Sequence, residues 1–294
     1  MLFKTNILAL VTSDDIIDKL IIWDDSQRKV LCEFKFNHKM LNVKLSKDKI
    51  IVVCRAQIFI FNLKNFKEID KIETADNPHG IVAISYESEK PLLAYPDNEK
   101  GFVKIKNLEK LIVLNKIKAH DNYIAYLLLS YDGKVLATAS EKGTLIRIFN
   151  TENGNLLEEL TRGKIKAEIK YICFEPNLKY IAVSSNRGTL HIWSLLNTVK
   201  NFKKIDDMES EENNLIANQK SNLSWVPNFL VGEYFNSEWG FAQIRNIEPK
   251  SIFCFGKENT IIMVSSDGKY YNYQIDLEKT GNVKLREEEQ FILE

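Results

Sequence analysis

The chain has only four cysteines, Cys32, Cys54, Cys173 and Cys254, and no two of them form a Cys-x-x-Cys pair. Their spacing excludes a zinc finger and a disulfide framework, and they read as buried free thiols of a reducing compartment. A surplus of charge is also missing: Lys plus Arg and Asp plus Glu number 40 each. Nucleic-acid binding rests on excess positive charge, so it is not expected. No apolar run approaches the ~20 residues of a membrane-spanning helix. Ile7–Val11 is too short for a signal peptide and is soon followed by Asp14 and Asp15, so a cytosolic protein is expected. A nucleophile elbow, a phosphate loop opening a helix, and carboxylate or metal-ligand spacing are absent, which leaves no enzyme, metal or cofactor to expect.

What is present is a repeat. Ile7-Leu-Ala-Leu-Val11, Ile50-Ile-Val-Val-Cys54, Leu92-Leu-Ala-Tyr-Pro96, Val135-Leu-Ala-Thr-Ala139, Tyr180-Ile-Ala-Val-Ser184 and Ile261-Ile-Met-Val-Ser265 are equivalent strands. The first five recur about every 43 residues; the last step is about 81, one repeat plus an insertion of about 38. Each is followed by a turn and a second strand, such as Leu20-Ile-Ile-Trp23, Leu145-Ile-Arg-Ile-Phe149 or Leu190-His-Ile-Trp193. Glu141-Lys-Gly143, Asn186-Arg-Gly188 and Ser266-Asp-Gly268 are the turn signals between them. This period, with four short strands per unit and the pair Trp23-Asp24, predicts an all-β, WD-type β-propeller, a single domain over 1–294.

Six blades are visible. Met1–Asn6 already reads as the first strand of a blade, and Leu285–Leu293 can supply the last strand of the final one. The ring is then six-bladed, or seven-bladed with its first blade missing from this sequence, which would leave two open sheet flanks.

The block Ala137-Thr-Ala-Ser-Glu-Lys-Gly-Thr-Leu-Ile-Arg147, with Leu160-Thr-Arg-Gly163, gathers hydroxyls, glycines and arginines at the end of one repeat and the start of the next. Hydroxyls and backbone amides suit phosphate oxygens, and arginine grips them through paired, charge-assisted hydrogen bonds. With Val183-Ser-Ser-Asn-Arg-Gly-Thr-Leu-His191, Ile22-Trp-Asp-Asp25, Tyr234-Phe-Asn-Ser-Glu-Trp239 and Ser266-Asp-Gly-Lys-Tyr-Tyr271, this block resembles the PROPPINs. These are seven-bladed propellers that bind phosphoinositides in autophagy, and the resemblance favours the ring with a missing first blade.

The resemblance implies two headgroup sites, served by the two arginines of a Phe/Leu-Arg-Arg-Gly signature that point to opposite sides. Here Thr161 stands where the first arginine is expected, and Arg162 is kept. The first site would use Thr138, Ser140, Thr144, Arg147 and Thr161. The second would use Arg162, Gly163, Ser185, Thr189 and His191, with Arg187 and Lys164 added on grounds of charge. A hydrogen bond to a charged group contributes roughly 1.5–3 kcal/mol, so the missing arginine weakens the first site about tenfold to a hundredfold. The second site is expected to dominate.

The resemblance also implies recognition of phosphatidylinositol 3-phosphate and the 3,5-bisphosphate, and peripheral recruitment of a monomer to phagophore, endosomal or vacuolar/lysosomal membranes. Partners would be autophagy lipid-transfer or conjugation proteins, docking near residues 1–90. The insertion, at about 196–236, carries the acidic run Asp206–Glu212, which reads as disordered, and the apolar Leu223–Val231. Trp225, Val226, Phe229 and Leu230 suit a membrane-inserting loop; the same segment could instead pack over a blade edge.

Plainer readings stand beside these. His191 alternates with Leu190 and Ile192, so strand burial with one hydrogen bond competes with a headgroup role. Thr138, Ser140 and Thr144 could be strand hydroxyls tying turns together, and Arg147 could pair with Glu141 or Glu158. His120 suits a structural role. The rival function is a WD-repeat protein-interaction scaffold that has lost most lipid binding.

Overall fold

Runs of Val, Ile, Leu and Phe separated by polar turns become strands throughout the computed structural model, which describes residues 5–13, 18–86, 91–202, 218, 238–276 and 283–291. The chain divides into two compact units, Met1–Gly133 and Lys134–Glu294.

In the first unit, β1 (Ile7–Ser13), β2 (Asp18–Asp24) and β3 (Lys29–Phe36) form a three-stranded sheet. β4 (Met40–Leu45), β5 (Lys49–Cys54), β6 (Gln57–Asn62) and β7 (Glu68–Glu73) form the next, in chain order. β8 (Ala83–Ile84), β9 (Leu92–Pro96), β10 (Phe102–Asn107) and β11 (Val113–Lys118) form the third, and β12 (Ile124–Leu129) follows.

In the second unit, β13 (Val135–Ser140), β14 (Leu145–Asn150) and β15 (Leu156–Thr161) pair antiparallel. β16 (Ile169–Phe174), β17 (Tyr180–Ser185) and β18 (Thr189–Ser194) repeat the pattern, and helix α1 (Leu196–Phe202) follows. β19 (Glu238–Trp239) then joins β15 in parallel, and β20 (Ala242–Arg245) completes the sheet of β16–β18. β21 (Ser251–Phe255), β22 (Thr260–Ser265), β23 (Lys269–Ile275) and β24 (Val283–Gln290) form the last sheet. These six sheets are blades of a β-propeller.

Burial explains the sequence pattern. β5, β13 and β17 are buried at every position, and β5 is packed on both faces. Ile50, Val52 and Cys54 pack toward β1–β3, whereas Ile51 and Val53 pack toward β8 and β9. This is the period of two expected of a strand. Outer strands are charged instead: Glu68-Ile-Asp-Lys-Ile-Glu73 exposes most of its length, which discourages edge-to-edge pairing.

Of the stretch Met1–Asn6, expected as the first strand of a blade, Met1–Lys4 lies outside the described residues, and Thr5 and Asn6 form a bend ahead of β1. One expectation is corrected. The cysteines are all free, but only Cys54 is buried. Cys32 and Cys173 are half-buried and Cys254 is exposed, since it falls on the outward-facing positions of β21.

Candidate functional site

The turns that join β13 to β14 and β17 to β18 are built alike. The Gly143 amide donates to the Ser140 carbonyl at 2.8 Å, and the Gly188 amide to the Ser185 carbonyl at 3.2 Å. Gly143 has φ +58°, and a Cβ there would lie 1.8 Å from the Ala167 carbonyl oxygen. Only glycine fits. Beyond β15, Arg162 donates its amide to the Thr144 carbonyl at 2.9 Å, which latches Thr161-Arg162-Gly163 beside the first of these turns.

The first cluster holds together as a polar row. The register places Thr138 opposite Arg147 and Arg147 opposite Glu159. Thr138 Oγ1 donates to the Arg147 carbonyl at 3.2 Å. Arg147 Nε meets Glu159 Oε2 at 2.7 Å with both side chains largely buried. The pairing is therefore with Glu159, directly across the strand, rather than the expected Glu141 or Glu158. Ser140 and Thr144 are buried, and Thr161 has no exposed surface.

The second cluster converges more tightly. Arg162 is buried; its Nε donates to the Gly143 carbonyl at 3.0 Å and its Nη2 donates to the Ile165 carbonyl. Ser185 is fully buried and faces Thr189 across the β17–β18 pair. The Arg187 amide reaches Ser185 Oγ at 3.4 Å, while its side chain stands exposed on the turn. Thr189 Oγ1 lies 3.2 Å from His191 Nε2, and Gln243 Nε2 lies 3.1 Å from His191 Nδ1. The imidazole stacks on Trp193, with centroids 5.6 Å apart. Burial, then the charges of Arg162 and Arg245, push the His191 pKa down to about 4. A Cβ on Gly163 would meet nothing within 4 Å, so the chain there borders open space.

His191 is thus buried, as its plain reading expects, with two side-chain partners rather than one. Gln243 and Arg245 escaped sequence reasoning. They face His191 and Thr189 in the β18–β20 register, but the insertion separates them in the chain. The apolar pattern Phe241-Ala-Gln-Ile-Arg245 marks a strand; nothing in it marks a binding role.

Glu158 is a further unpredicted feature. It is buried, and its carboxylate accepts from the Thr198 amide and from Asn197 Nδ2, each at 3.0 Å. Asn218 bridges the Ser194 backbone, at 2.9 and 2.8 Å, to Glu238 Oε2 at 2.6 Å. Asn197, Thr198, Asn218 and Glu238 are thereby tied to β15 and β18. Burial first, with Glu238 adding its charge, raises the Glu158 pKa to about 7. Trp225, Val226, Phe229 and Leu230 lie outside the described residues.

In the first unit, Phe34, Phe36, Phe59 and Phe61 line a groove of ≈ 360 Å³ whose walls include Lys35, His38, Glu68 and Lys71. Phe34 and Phe61 approach to 4.5 Å between centroids, and Lys71 Nζ stands 5.4 Å over Phe59. Among the described residues, no cluster of His, Cys, Asp and Glu has metal-site geometry, and no helix is long and apolar enough to cross a membrane.

The sequence profile of the PROPPIN family matches residues 2–291. Autophagy-related protein 18e of Arabidopsis thaliana is 34% identical, over 99% of this chain and 75% of its own. Autophagy-related protein 18 of Schizosaccharomyces pombe is 30% identical, over 97% and 85%. Among solved structures, Hsv2 of Kluyveromyces marxianus superposes with a TM-score of 0.74 at 22% identity, covering 100% of this chain and 84% of that one. A complex of KlAtg21 with the coiled coil of AgAtg16 gives 0.76 at 23% identity, with 99% and 84% covered.

Proposed function

The chain belongs to the PROPPIN family, and from that premise we propose that it is a phosphoinositide-binding peripheral membrane protein whose headgroup site is built around Arg162. The observation that carries this reading is a buried guanidinium, held by backbone carbonyls, whose charge acts on His191 of the Ser185–Thr189–His191 face. A cation already fixed by Gly143 and Ile165 loses little freedom when an anion arrives, and burial strengthens its field. Thr189 and Ser185 supply hydroxyls, Arg187 a further charge at the rim, and Gly163 leaves room for a headgroup. The ligand is phosphatidylinositol 3-phosphate, and the 3,5-bisphosphate by the same contacts.

The first cluster contributes less. Arg147 is neutralised by Glu159, and the buried Thr161 brings no charge. Those two facts also favour the second reading, a WD-repeat scaffold that has shed most lipid binding. Under either reading the aromatic groove of the first unit is the place for a protein partner, within residues 1–90; KlAtg21 in its solved complex binds a coiled coil. The protein would act as a recruitment scaffold on phagophore, endosomal or vacuolar membranes.

Calorimetric titration with a soluble short-chain phosphatidylinositol 3-phosphate tests the proposal. Saturable binding that short-chain phosphatidylinositol cannot reproduce is the expected result. Heat indistinguishable for the two ligands would leave the scaffold reading.

A further inference from the structure

Gln243 stands on β20 opposite His191, and its contact with the ring has a direction. An amide nitrogen has protons to give and no lone pair to offer, so Gln243 Nε2, 3.1 Å from His191 Nδ1, makes that nitrogen an acceptor. In a neutral imidazole the proton then sits on Nε2. Nε2 lies 3.2 Å from Thr189 Oγ1, so the hydroxyl oxygen receives that proton as acceptor. The hydroxyl's own proton is left to point elsewhere. The chain of donors therefore runs outward: Gln243 to His191, His191 to Thr189, and Thr189 to whatever stands beyond it.

We infer that Gln243 is a positioning residue which fixes the His191 tautomer and thereby makes the Thr189 hydroxyl a donor, the polarity that an anionic phosphate oxygen requires. This rests on the headgroup-binding reading of the same site. With the opposite tautomer, Nε2 would accept from Thr189, and the hydroxyl would turn only lone pairs toward an anion. Neutrality of the ring makes the tautomer decisive. The charged groups acting on His191 are Arg162, beyond β15, and Arg245, on β20; both are cations that disfavour an imidazolium, and burial acts the same way. Trp193, stacked on the ring from the same strand, holds its plane. The remaining side chain aligned with His191 in the sheet, Val183 on β17, is apolar.

The test has two independent readouts on the intact protein. With only four histidines in the chain, nitrogen-15 NMR of labelled histidine can be assigned to His191 by the His191→Gln spectrum. Wild type is expected to show a protonated Nε2 and a bare Nδ1 near neutral pH, and Gln243→Leu a mixture of tautomers. The second readout is the affinity for soluble short-chain phosphatidylinositol 3-phosphate. Gln243→Leu is expected to weaken it about fivefold to tenfold, the size of one ordinary hydrogen bond. In a Thr189→Val background the same change is expected to add nothing, because the two residues act through one chain. A proton on Nδ1 in wild type, an unaltered tautomer in Gln243→Leu, or additive losses in the double variant would each overturn the inference. If wild type shows the Nε2 proton but binds no headgroup, the binding proposal fails, and the positioning role toward an anion fails with it, while the tautomer assignment stands.

Discussion

Burial and two neighbouring cations hold the His191 pKa at about 4, below the ordinary 6.5, and the sign of the resulting pH dependence follows. The unfolded chain takes up the proton first as pH falls, so the stability His191 contributes is complete above about 6.5 and declines toward 4. The decline amounts to at most about 3 kcal/mol. Urea melts of wild type and His191→Gln at pH 8 and pH 5 should therefore converge at the lower pH; a gap that widens on acidification would contradict this. At the same scale the sequence was legible where chemistry is local. Arg162, Thr189 and His191 stand in motifs that mark them as candidates. Gln243 does not, because only strand pairing across a long insertion brings it to the ring.

At the scale of elements, the stem of the insertion is the part with the clearest response to pH. Glu158 has its pKa raised to about 7 in the closed stem, against 4.5 in water. A raised carboxyl stabilises the folded arrangement most at low pH, and this contribution is lost as pH rises through 7. Opening of α1, read as amide exchange at Thr198 and Val199 corrected for intrinsic rates, should therefore increase about tenfold between pH 6 and pH 8. Glu158→Gln should flatten that dependence; a slope unchanged by the substitution would exclude Glu158 as its source. The turn at Gly143 is the other element on which the site depends. Gly143→Ala must displace the Ala167 carbonyl and adopt a left-handed φ, at a cost of at least ~1–2 kcal/mol. Because the Gly143 carbonyl also holds Arg162, headgroup affinity should fall with stability, and a variant with full affinity would show that this turn does not set the arginine. The turn was readable from Glu141-Lys-Gly143. The stem was not, since buried carboxylates leave no sequence period.

At the scale of the whole molecule, the repeat near 43 residues carried the fold, because a strand covered on both faces must be apolar throughout and its neighbour must alternate. The start of the first sheet is less legible: β1 holds the second place in the repeat, and of Met1–Asn6 only the bend at Thr5 and Asn6 is described. Valency belongs to this scale as well. Two working sites on one propeller would bind a membrane with avidity, the second contact being intramolecular. With Arg147 paired to Glu159 and Thr161 buried, one site is expected to work, so bound protein should rise in simple proportion to the phosphoinositide density of vesicles. A steeper than linear rise would mean that the first cluster also binds. The central claim, recognition through Arg162, is tested most directly by flotation of purified protein with liposomes containing phosphatidylinositol 3-phosphate, beside Arg162→Ala and plain liposomes. The account predicts that wild type floats only with the phosphorylated lipid and that a folded Arg162→Ala variant stays behind. Equal flotation of the two proteins would contradict it.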